Sequence, residues 1–374
     1  MKIVGSGTVV ASQPDTDRQS CAFSGVCVFP NGRWLCGFRG APTKTCVGRQ
    51  GSFLTRSDDE GKTWSSPIEP FVPPDLDGRR GQFRAVQPTA LGGGDVLAVL
   101  YWVDASNPDL PFFNEETQGL LDSKIFLAKS NDTGQTWSKP WLIDTSPFNQ
   151  PTPITGPVLK LANGELGLQF ELNNHYYDRS VWRHSSVIMF SKDGGKTFPT
   201  HAIAGNDPDN RIFYWDQRPA VLADGRILDL FWTYDNQAGV YLNNHARESR
   251  DHGRTWSRMW DTGVTGQPAP AVELSDGGIG MVYVDRTAAP VIKIRTSADG
   301  GHSWPADTEL QISQSMVASQ TEKKATMQDA WSEMSKFSVG LPSTARTKNG
   351  DVLVIYYAGA DPDHTDIKWA RLRV

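Results

Sequence analysis

The sequence predicts an all-β fold, a six-bladed β-propeller of four-stranded antiparallel blades, on the strength of three observations. The 374 residues include 35 Gly, 24 Pro and 13 Trp, a composition that suits many short strands and tight turns. A turn motif recurs five times, and a hairpin motif alternates with it six times. A chain of this length exceeds the usual size of one core, unless its units form a ring or a solenoid.

The turn motif has the pattern Ser-x-Asp-x-Gly-x-Ser/Thr followed by Trp or Phe. In such a turn the Asp carboxylate accepts backbone N–H bonds and Gly supplies the positive φ that the reversal needs. Copies recur at a spacing of roughly 50 to 70 residues, typical of a propeller blade. We therefore expect the five Asp residues to stabilise turns, with no catalytic or calcium-binding role. The copies are SDDEGKTW (57–64), SNDTGQTW (130–137), SKDGGKTF (191–198), SRDHGRTW (249–256) and SADGGHSW (297–304).

The hairpin motif is an apolar strand, a short Gly-containing turn and a second apolar strand. Alternation of hairpins with Asp turns gives four strands per blade. The sixth hairpin is followed by no Asp turn, so we expect the N-terminal strand within 2–12 to complete that blade and close the ring. We predict one domain, 1–374, with an insertion at 313–337 between blades five and six. The hairpins lie at 26–38, 87–102, 156–172, 218–234, 269–284 and 341–357.

Charge and hydropathy exclude several classes of protein. The net charge of −5 argues against a nucleic-acid binder, which would normally carry a basic face. No stretch approaches 18 apolar residues, so no membrane span is expected. The N-terminus lacks the apolar core of a signal peptide. Four cysteines stand at 21, 27, 36 and 46, and Cys27 and Cys36, which would face each other across a hairpin, are expected to be free, buried thiols because directly paired strand positions rarely suit a disulfide. A cytoplasmic protein is therefore favoured. The sequence predicts no cofactor and no metal, and it leaves the oligomeric state open.

Strand direction predicts where a functional site lies. Both kinds of turn follow strands that run the same way, so they share one face of the propeller. The opposite face collects the starts of the inner strands and the long connections, where functional side chains usually lie. Arg, carboxylate, amide and aromatic side chains gather there, a mixture that suits a carbohydrate site because Arg binds carboxylates and rings stack on sugars. The candidates for substrate binding are Arg39, Arg84, Arg218, Arg286, His175, Tyr176, Trp215, Gln267 and Tyr283.

The candidate catalytic residues are Asp216 and Glu171, with Asp285 in reserve. Hydrolysis of a glycosidic bond needs one carboxylic acid to protonate the leaving oxygen and a second carboxylate to activate water or to attack. The alternative is that some Arg–Asp pairs, such as Arg218 with Asp216 or Asp235, only neutralise each other. His175 stands between polar neighbours without the spacing of a metal site.

Both repeats resemble the BNR/Asp-box propellers of the sialidase superfamily, over nearly the whole chain. The segment QFRAVQP (82–88) is similar to the family's Phe/Tyr-Arg-Ile-Pro motif and identifies Arg84 with an Arg that grips the substrate carboxylate. A second similar Arg is Arg218. At the positions comparable to the family's nucleophilic Tyr stand Pro268 and Leu341, so the sequence offers no match to that residue.

The resemblance implies an exo-glycoside hydrolase that acts on an acidic sugar, a sialic or uronic acid. Without the Tyr, an inverting route through water is easier to support than a retaining one. One alternative is a lyase on uronates, in which Arg84 or Arg218 neutralises the carboxylate and His175 with Tyr176 moves the protons. The other is a sugar-binding propeller without turnover.

Overall fold

The computed structural model describes residues 1–314, 317 and 327–374, and these are almost entirely β-structure. In chain order the strands are β1 (Lys2–Val10), β2 (Ser20–Val28), β3 (Trp34–Ala41), β4 (Gly51–Ser57), β5 (Gly81–Gly92), β6 (Asp95–Asp104), β7 (Ser123–Ser130), β8 (Trp141–Leu142), β9 (Leu159–Lys160), β10 (Leu166–Glu171), β11 (Ser185–Ser191) and β12 (Thr200–Asn206). They continue with β13 (Ile212–Val221), β14 (Ile227–Asp235), β15 (Val240–Tyr241), β16 (Asn243–Ser249), β17 (Trp260–Thr265), β18 (Gln267–Pro268), β19 (Val272–Glu273), β20 (Ile279–Asp285), β21 (Val291–Ser297), β22 (Leu310–Gln311), β23 (Val339–Arg346), β24 (Val352–Asp361) and β25 (His364–Arg373).

Two short helical elements accompany the strands. One is a 3₁₀ turn at Ala306–Thr308, and the other is the α-helix α1 at Met327–Lys336. The helix lies within the predicted insertion at 313–337, and the insertion's residues 315–316 and 318–326 lie outside the described part of the chain. No helix among the described residues is long and apolar enough to cross a membrane.

The described strands form five hydrogen-bonded sheets. This pairing differs from the predicted six separate four-stranded blades. Two sheets have four strands, β5–β8 and β9–β12, and two have five, β13–β17 and β18–β22. The remaining sheet has seven strands, in the order β23-β24-β25-β2-β3-β4 with β1 paired to β25. The physical reason is local: one parallel bridge, between Ser20 and Thr365, joins the first hairpin of the chain to the last.

The N-terminal strand pairs with the C-terminal one. Strand β1 runs antiparallel to β25, with Lys2 opposite Arg373 and Val10 opposite Ile367. The pairing places the first strand of the chain on the edge that the last strand would otherwise expose.

The apolar core lies between neighbouring sheets. Leu97 and Val99 of β6 pack against Leu168 and Phe170 of β10 and Val187 of β11, and all five are fully buried. Comparable clusters join other neighbouring sheets, and a further cluster lies within the seven-stranded sheet. Alternating strand residues thus bury both faces of each sheet, as in a propeller. Cys27 and Cys36 are free and buried, as expected.

The Asp turns have the predicted geometry, seen clearly in the copy at 130–137. Ser130 Oγ donates to Asp132 Oδ1 at 2.7 Å, while the Thr136 amide and hydroxyl donate to the same carboxylate at 2.9 and 2.6 Å. Gly134 has a φ of 83°, which a side chain would make costly. The Trp137 ring packs edge-on against Phe71, with ring centroids 5.2 Å apart. The Asp is therefore an integral part of the turn, as predicted.

These hydrogen bonds make the stability of the fold depend on pH. They lower the pKa of all five turn carboxyl groups below the ordinary value, despite the opposing effect of partial burial at Asp251. The charged form is favoured in the folded state, so its stabilising effect is complete above about pH 4 and is lost as the pH falls further. Thermal unfolding from pH 7 to pH 2 should show a midpoint that falls below about pH 4. Asp193→Asn should flatten this dependence, whereas Lys196→Ala in the same turn should not. A flat wild-type midpoint would contradict the prediction.

Candidate active site

A cavity of about 400 Å³ lies among the starts of the inner strands and the long connections. No described residue that lines it belongs to an Asp turn, so it lies where strand direction predicts a site. Of the sequence candidates, the structure brings six together in its wall, and six others lie outside. The six in the wall are Arg84, Glu171, Trp215, Asp216, Arg218 and Gln267.

Irregular strand pairing turns several side chains toward the cavity. The ladders of β2, β5, β13 and β23 each skip residues near the start of the strand. The skipped residues include Phe23, Arg84, Asp216 and Leu341, and all four line the cavity. Three of them have a positive φ, 53° at Phe23, 49° at Asp216 and 44° at Leu341. A β-bulge re-aims a side chain, and strained non-glycine residues cluster at functional sites.

Four cationic side chains gather on one side of the cavity: Arg39, Lys44, Arg84 and Arg286. Burial lowers the pKa of all four, and repulsion from neighbouring cations adds to the effect at Arg39 and Lys44. None forms an ion pair with a carboxylate of a described residue within 4.0 Å. The protein therefore holds an excess of buried positive charge here that a bound anion would offset.

Of these four cationic side chains, Arg84 has the most hydrogen-bond donors available to a ligand. Its guanidinium donates one hydrogen bond, to Gln50 Oε1 at 3.1 Å. It lies 4.4 Å from the centre of the Phe112 ring and 5.1 Å from that of Phe23. Burial lowers its pKa to about 10, so it remains charged at neutral pH. The aromatic contacts orient the guanidinium and leave most of its donors free.

Asp216 belongs to a chain of polar contacts in the cavity wall. Arg218 lies 3.4 Å from Asp216 Oδ1, and the side-chain amide of Gln267 donates to Oδ2. Arg286 in turn donates to Gln267 Oε1 at 2.9 Å. Arg218 therefore pairs with Asp216, which is one of the Arg–Asp pairs that the sequence analysis considered. Asp235 pairs instead with Arg211, at 2.6 Å.

Glu171 ends strand β10 and lines the same cavity with little exposed surface. The backbone N–H of Gln217, the residue after Asp216, lies 3.4 Å from Glu171 Oε1. The His184 imidazole is buried beneath it, with Nε2 3.4 Å from Oε2, although the approach is too oblique for a hydrogen bond. His184 lies between Phe213 and Trp182, with ring centroids 5.7 and 5.8 Å away. The sequence analysis missed His184 because this residue lies in a connection without a regular sequence pattern.

Two predicted substrate-binding Arg residues lie outside the cavity, because acceptors of the protein itself take up their hydrogen-bond donors. Arg39 donates to Gln50 Oε1 at 2.7 Å and to backbone carbonyls, including that of Lys44 at 3.0 Å. Arg286 donates to Gln267 and, at 2.8 Å, to the Val339 carbonyl. Both side chains contribute charge near the cavity without lining it.

The remaining four candidates also have partners elsewhere. Asp285 pairs with Lys293 at 3.0 Å and accepts a hydrogen bond from Thr287. Burial would raise the pKa of Asp285, but the bonds from Thr287 and Lys293 outweigh it and lower that pKa. Tyr283 donates to Glu309, which also pairs with Lys293.

His175 and Tyr176 belong to the connection after β10. His175 Nδ1 lies 2.8 Å from Asp122 Oδ1, and the imidazole is half exposed. Tyr176 packs its ring edge-on against Tyr177, with centroids 5.0 Å apart. Neither residue lines the cavity, because the connection carries both away from the inner strands. No described group of three or more His, Cys, Asp or Glu residues could hold a metal ion.

The C-terminal end of the insertion forms one wall of the cavity, and two buried cations hold it. Lys44 Nζ donates to the carbonyls of Met334, at 2.8 Å, and Phe337. The Phe337 ring lies between Lys44 Nζ and the Arg286 guanidinium, 5.6 and 3.8 Å from its centre. Cations commonly satisfy the free carbonyls at the end of a helix, and α1 ends here. The wall consists of Ser332, Met334, Ser335 and Phe337.

Lys44→Met should loosen this wall. Removal of the ammonium leaves two buried carbonyls without their donor, so the backbone amides of residues 334–339 should exchange hydrogen faster. Hydrogen-exchange mass spectrometry measures the change, and Lys196→Met, on an exposed turn, is the matched control. Unchanged exchange in Lys44→Met, together with loss of ligand binding, would mean that Lys44 acts on the ligand directly.

Comparison with known proteins identifies the family. A sequence profile described as a BNR repeat-like domain matches residues 96–354. A sialidase of Micromonospora viridifaciens is 27% identical over 262 residues, 61% of this chain and 37% of that protein. A sialidase of Bacteroides fragilis (strain YCH46) is 25% identical over 281 residues, 69% of this chain and 49% of that protein. The chain thus spans less than half the length of either relative.

Solved structures agree on the fold. A crystal structure of a protein of unknown function from Dyadobacter fermentans DSM 18053 superposes with a TM-score of 0.73, at 18% identity, over 100% of both chains. At that identity the likeness concerns the fold alone. With five Asp turns, sheets packed face to face and a profile match over most of its length, the chain belongs to the BNR repeat-like family of the sialidase superfamily and has its β-propeller fold.

Proposed function

We propose that the protein is an exo-glycoside hydrolase that releases an acidic sugar, a sialic or uronic acid. The observation that carries the proposal is the set of buried cations without carboxylate partners beside a cavity that also contains two carboxylates. Arg84 lines the cavity with most of its donors free and would bind the sugar's carboxylate, since charged hydrogen bonds are the strong ones. The two curated relatives are sialidases, which supports the same class.

The proposed architecture is a single domain, 1–374, with six blades. In this interpretation the seven-stranded sheet contains two blades, one of β2–β4 and one of β23–β25 with β1, joined by the bridge between Ser20 and Thr365. Pairing of β1 with β25 would then close the ring. The six hairpins of the sequence correspond to one inner pair of strands per blade.

The two carboxylates in the cavity have different surroundings, which suggests different roles. Asp216 lies beside Arg218 and accepts a hydrogen bond from Gln267, so we assign it the role of the base that activates water. Glu171 is buried and has no Lys or Arg within 4.0 Å, so we assign it the role of the acid that protonates the leaving oxygen.

A water-based, inverting route suits the tyrosines of the cavity better than a phenolate nucleophile does. Tyr101 and Tyr357 line the cavity, and burial raises the pKa of both. Neither is therefore poised to lose its proton at neutral pH. The lyase alternative is less well supported, because His175 and Tyr176, its proposed base and acid, lie outside the cavity.

A panel of chromogenic sialosides, uronides and neutral glycosides tests the proposal. We expect turnover of an acidic glycoside, and NMR of the first product formed should show the inverted anomer. A product with a new double bond, visible in the ultraviolet, would indicate the lyase. Binding of an acidic sugar without turnover would indicate a sugar-binding propeller, and turnover of neutral glycosides alone would refute the preference for acidic sugars.

A further inference from the structure

The two carboxyl groups that the proposed reaction uses lie on different sheets. Asp216 belongs to β13, which pairs with β14, and Glu171 ends β10, which pairs with β9 and β11. Apolar side chains such as Ile188 and Ile227 fill the space between the two sheets. Apolar contact is non-directional, so it does not by itself fix how far one sheet lies along the other. The spacing of the two carboxyl groups therefore depends on a directional contact between these sheets.

Gln217, the residue after Asp216, makes such a contact. It is fully buried, and its side-chain amide donates to two carbonyls of the neighbouring sheet, those of Phe170 at 2.8 Å and Val187 at 3.0 Å. Its backbone N–H donates a longer hydrogen bond, of 3.4 Å, to Glu171 Oε1. One residue thus connects the strand of Asp216 both to the Glu171 carboxyl group and to the backbone immediately before it.

A bulge in β13 sends two consecutive side chains in different directions. The ladder between β13 and β14 skips Asp216 and Gln217 against the single residue Phe231. Asp216 lines the cavity, whereas the Gln217 side chain reaches the next sheet. Asp216 also has a φ of 49°, a conformation that costs energy for a non-glycine residue and persists where its surroundings fix it. The hydrogen bonds of Gln217 fix the residue directly after it.

The orientation of the Gln217 amide follows from its partners. Carbonyl oxygens only accept hydrogen bonds, so Nε2 faces both of them. Gln217 Oε1 is then buried without a hydrogen-bond partner among the described residues. A buried oxygen without a partner destabilises a fold, so stability alone would not favour Gln at this position. Control of the distance between Asp216 and Glu171 gives this residue a role that packing does not.

We propose that Gln217 is a positioning residue that sets the distance between Asp216 and Glu171. The proposal rests on the proposed function, because this distance matters to catalysis only if both carboxyl groups take part in the reaction. An inverting hydrolase needs room between its two carboxyl groups for the sugar and a water, whereas in a retaining one they lie closer together. Gln217 is not among the described residues that line the cavity, so it acts through its neighbours and not on the sugar.

Gln217→Met tests the proposal, because it keeps the length of the side chain and removes the donor of two hydrogen bonds. We expect kcat on the best substrate of the glycoside panel to fall about tenfold or more, since a misplacement of about 1 Å is enough to slow a reaction strongly. Binding of N-acetylneuraminic acid and of glucuronic acid, measured by calorimetry, should hardly change, because Arg84 carries that recognition.

Gln169→Met is the matched control. Gln169 is 1% exposed on β10, and its amide donates at 2.8 Å to the Pro157 carbonyl, in the connection that leads into β9. The same substitution there removes a buried amide without altering the contact between the two sheets, so we expect lower stability and a nearly unchanged kcat. If thermal unfolding shows that Gln217→Met does not fold, Gln217→Asn replaces it, since the shorter side chain keeps the amide and withdraws it from the carbonyls.

Crystal structures of the wild type and of the Gln217 variant measure the distance between the carboxyl carbons of Asp216 and Glu171 without any need for turnover. The proposal predicts a difference of more than about 0.5 Å, the tolerance of a catalytic arrangement. An unchanged distance, an unchanged kcat, or a loss of kcat in Gln169→Met as large as that in the Gln217 variant would overturn it. If the distance changes while the wild type turns over no glycoside, Gln217 positions the two carboxyl groups and the hydrolase proposal fails.

Discussion

Arg84→Ala is expected to weaken binding of an acidic sugar by about 1.5 to 3 kcal/mol, the usual contribution of a hydrogen bond to a charged group. Arg84 is buried, lines the cavity and has no carboxylate partner among the described residues. The protein therefore keeps this charge desolvated and uncompensated until an anion binds. A neutral analogue of the same sugar has no charge to pair with it, so its affinity should hardly change.

The control for Arg84→Ala is Arg49→Ala. Arg49 pairs with Asp17 on the surface, and its side chain is 67% exposed, so its removal should alter neither affinity. Calorimetry with the acidic sugar and its neutral analogue gives all the affinities needed. Equal losses for both ligands in Arg84→Ala would mean that Arg84 supports the shape of the site and does not recognise charge.

Glu171→Gln and Asp216→Asn are each expected to lower kcat by about a hundredfold to ten-thousandfold, the usual contribution of a positioned acid or base. Both substitutions keep the shape of the side chain and remove its ability to exchange a proton. Glu171 touches no cation of Lys or Arg, so its replacement should leave the fold intact. Asp216 lies 3.4 Å from Arg218, so its replacement should also weaken that contact.

Asp285→Asn is the matched control for these two variants. Asp285 was a third candidate from the sequence, but it pairs with Lys293 and Thr287 outside the cavity. We expect it to retain most of the wild-type kcat. Steady-state kinetics with the best substrate of the glycoside panel measure all three variants, and thermal unfolding checks that each folds. Full activity in both Glu171→Gln and Asp216→Asn would end the assignment.

The fold could be predicted because its strongest signals are local. Each Asp turn is stabilised by hydrogen bonds between residues two to four apart, such as Ser130, Asp132 and Thr136, so the whole device is visible in eight residues. Each hairpin likewise shows its own turn. The number of separate sheets was less predictable, because one bridge between Ser20 and Thr365 depends on how the two ends of the chain meet.

The site was only partly predictable because it depends on where side chains point. Arg84 and Asp216 were placed near the start of inner strands, and the bulges at those positions put both side chains in the cavity wall. Arg39 and Arg286 occupy similar positions in the sequence, yet nearby carbonyls and amides take up their donors. Lys44 gave no signal at all, because its partners are carbonyls roughly 290 residues further along the chain.

The central claim is that the cavity holds an acidic sugar between buried cations and a pair of carboxylates. A crystal structure of the Glu171→Gln variant with a bound acidic glycoside tests it most directly. The account predicts the sugar's carboxylate within hydrogen-bond distance of Arg84, with the glycosidic oxygen facing position 171 and Asp216 on the other side of the ring. A sugar bound with its carboxylate turned away from Arg84, or bound outside the cavity, would contradict it.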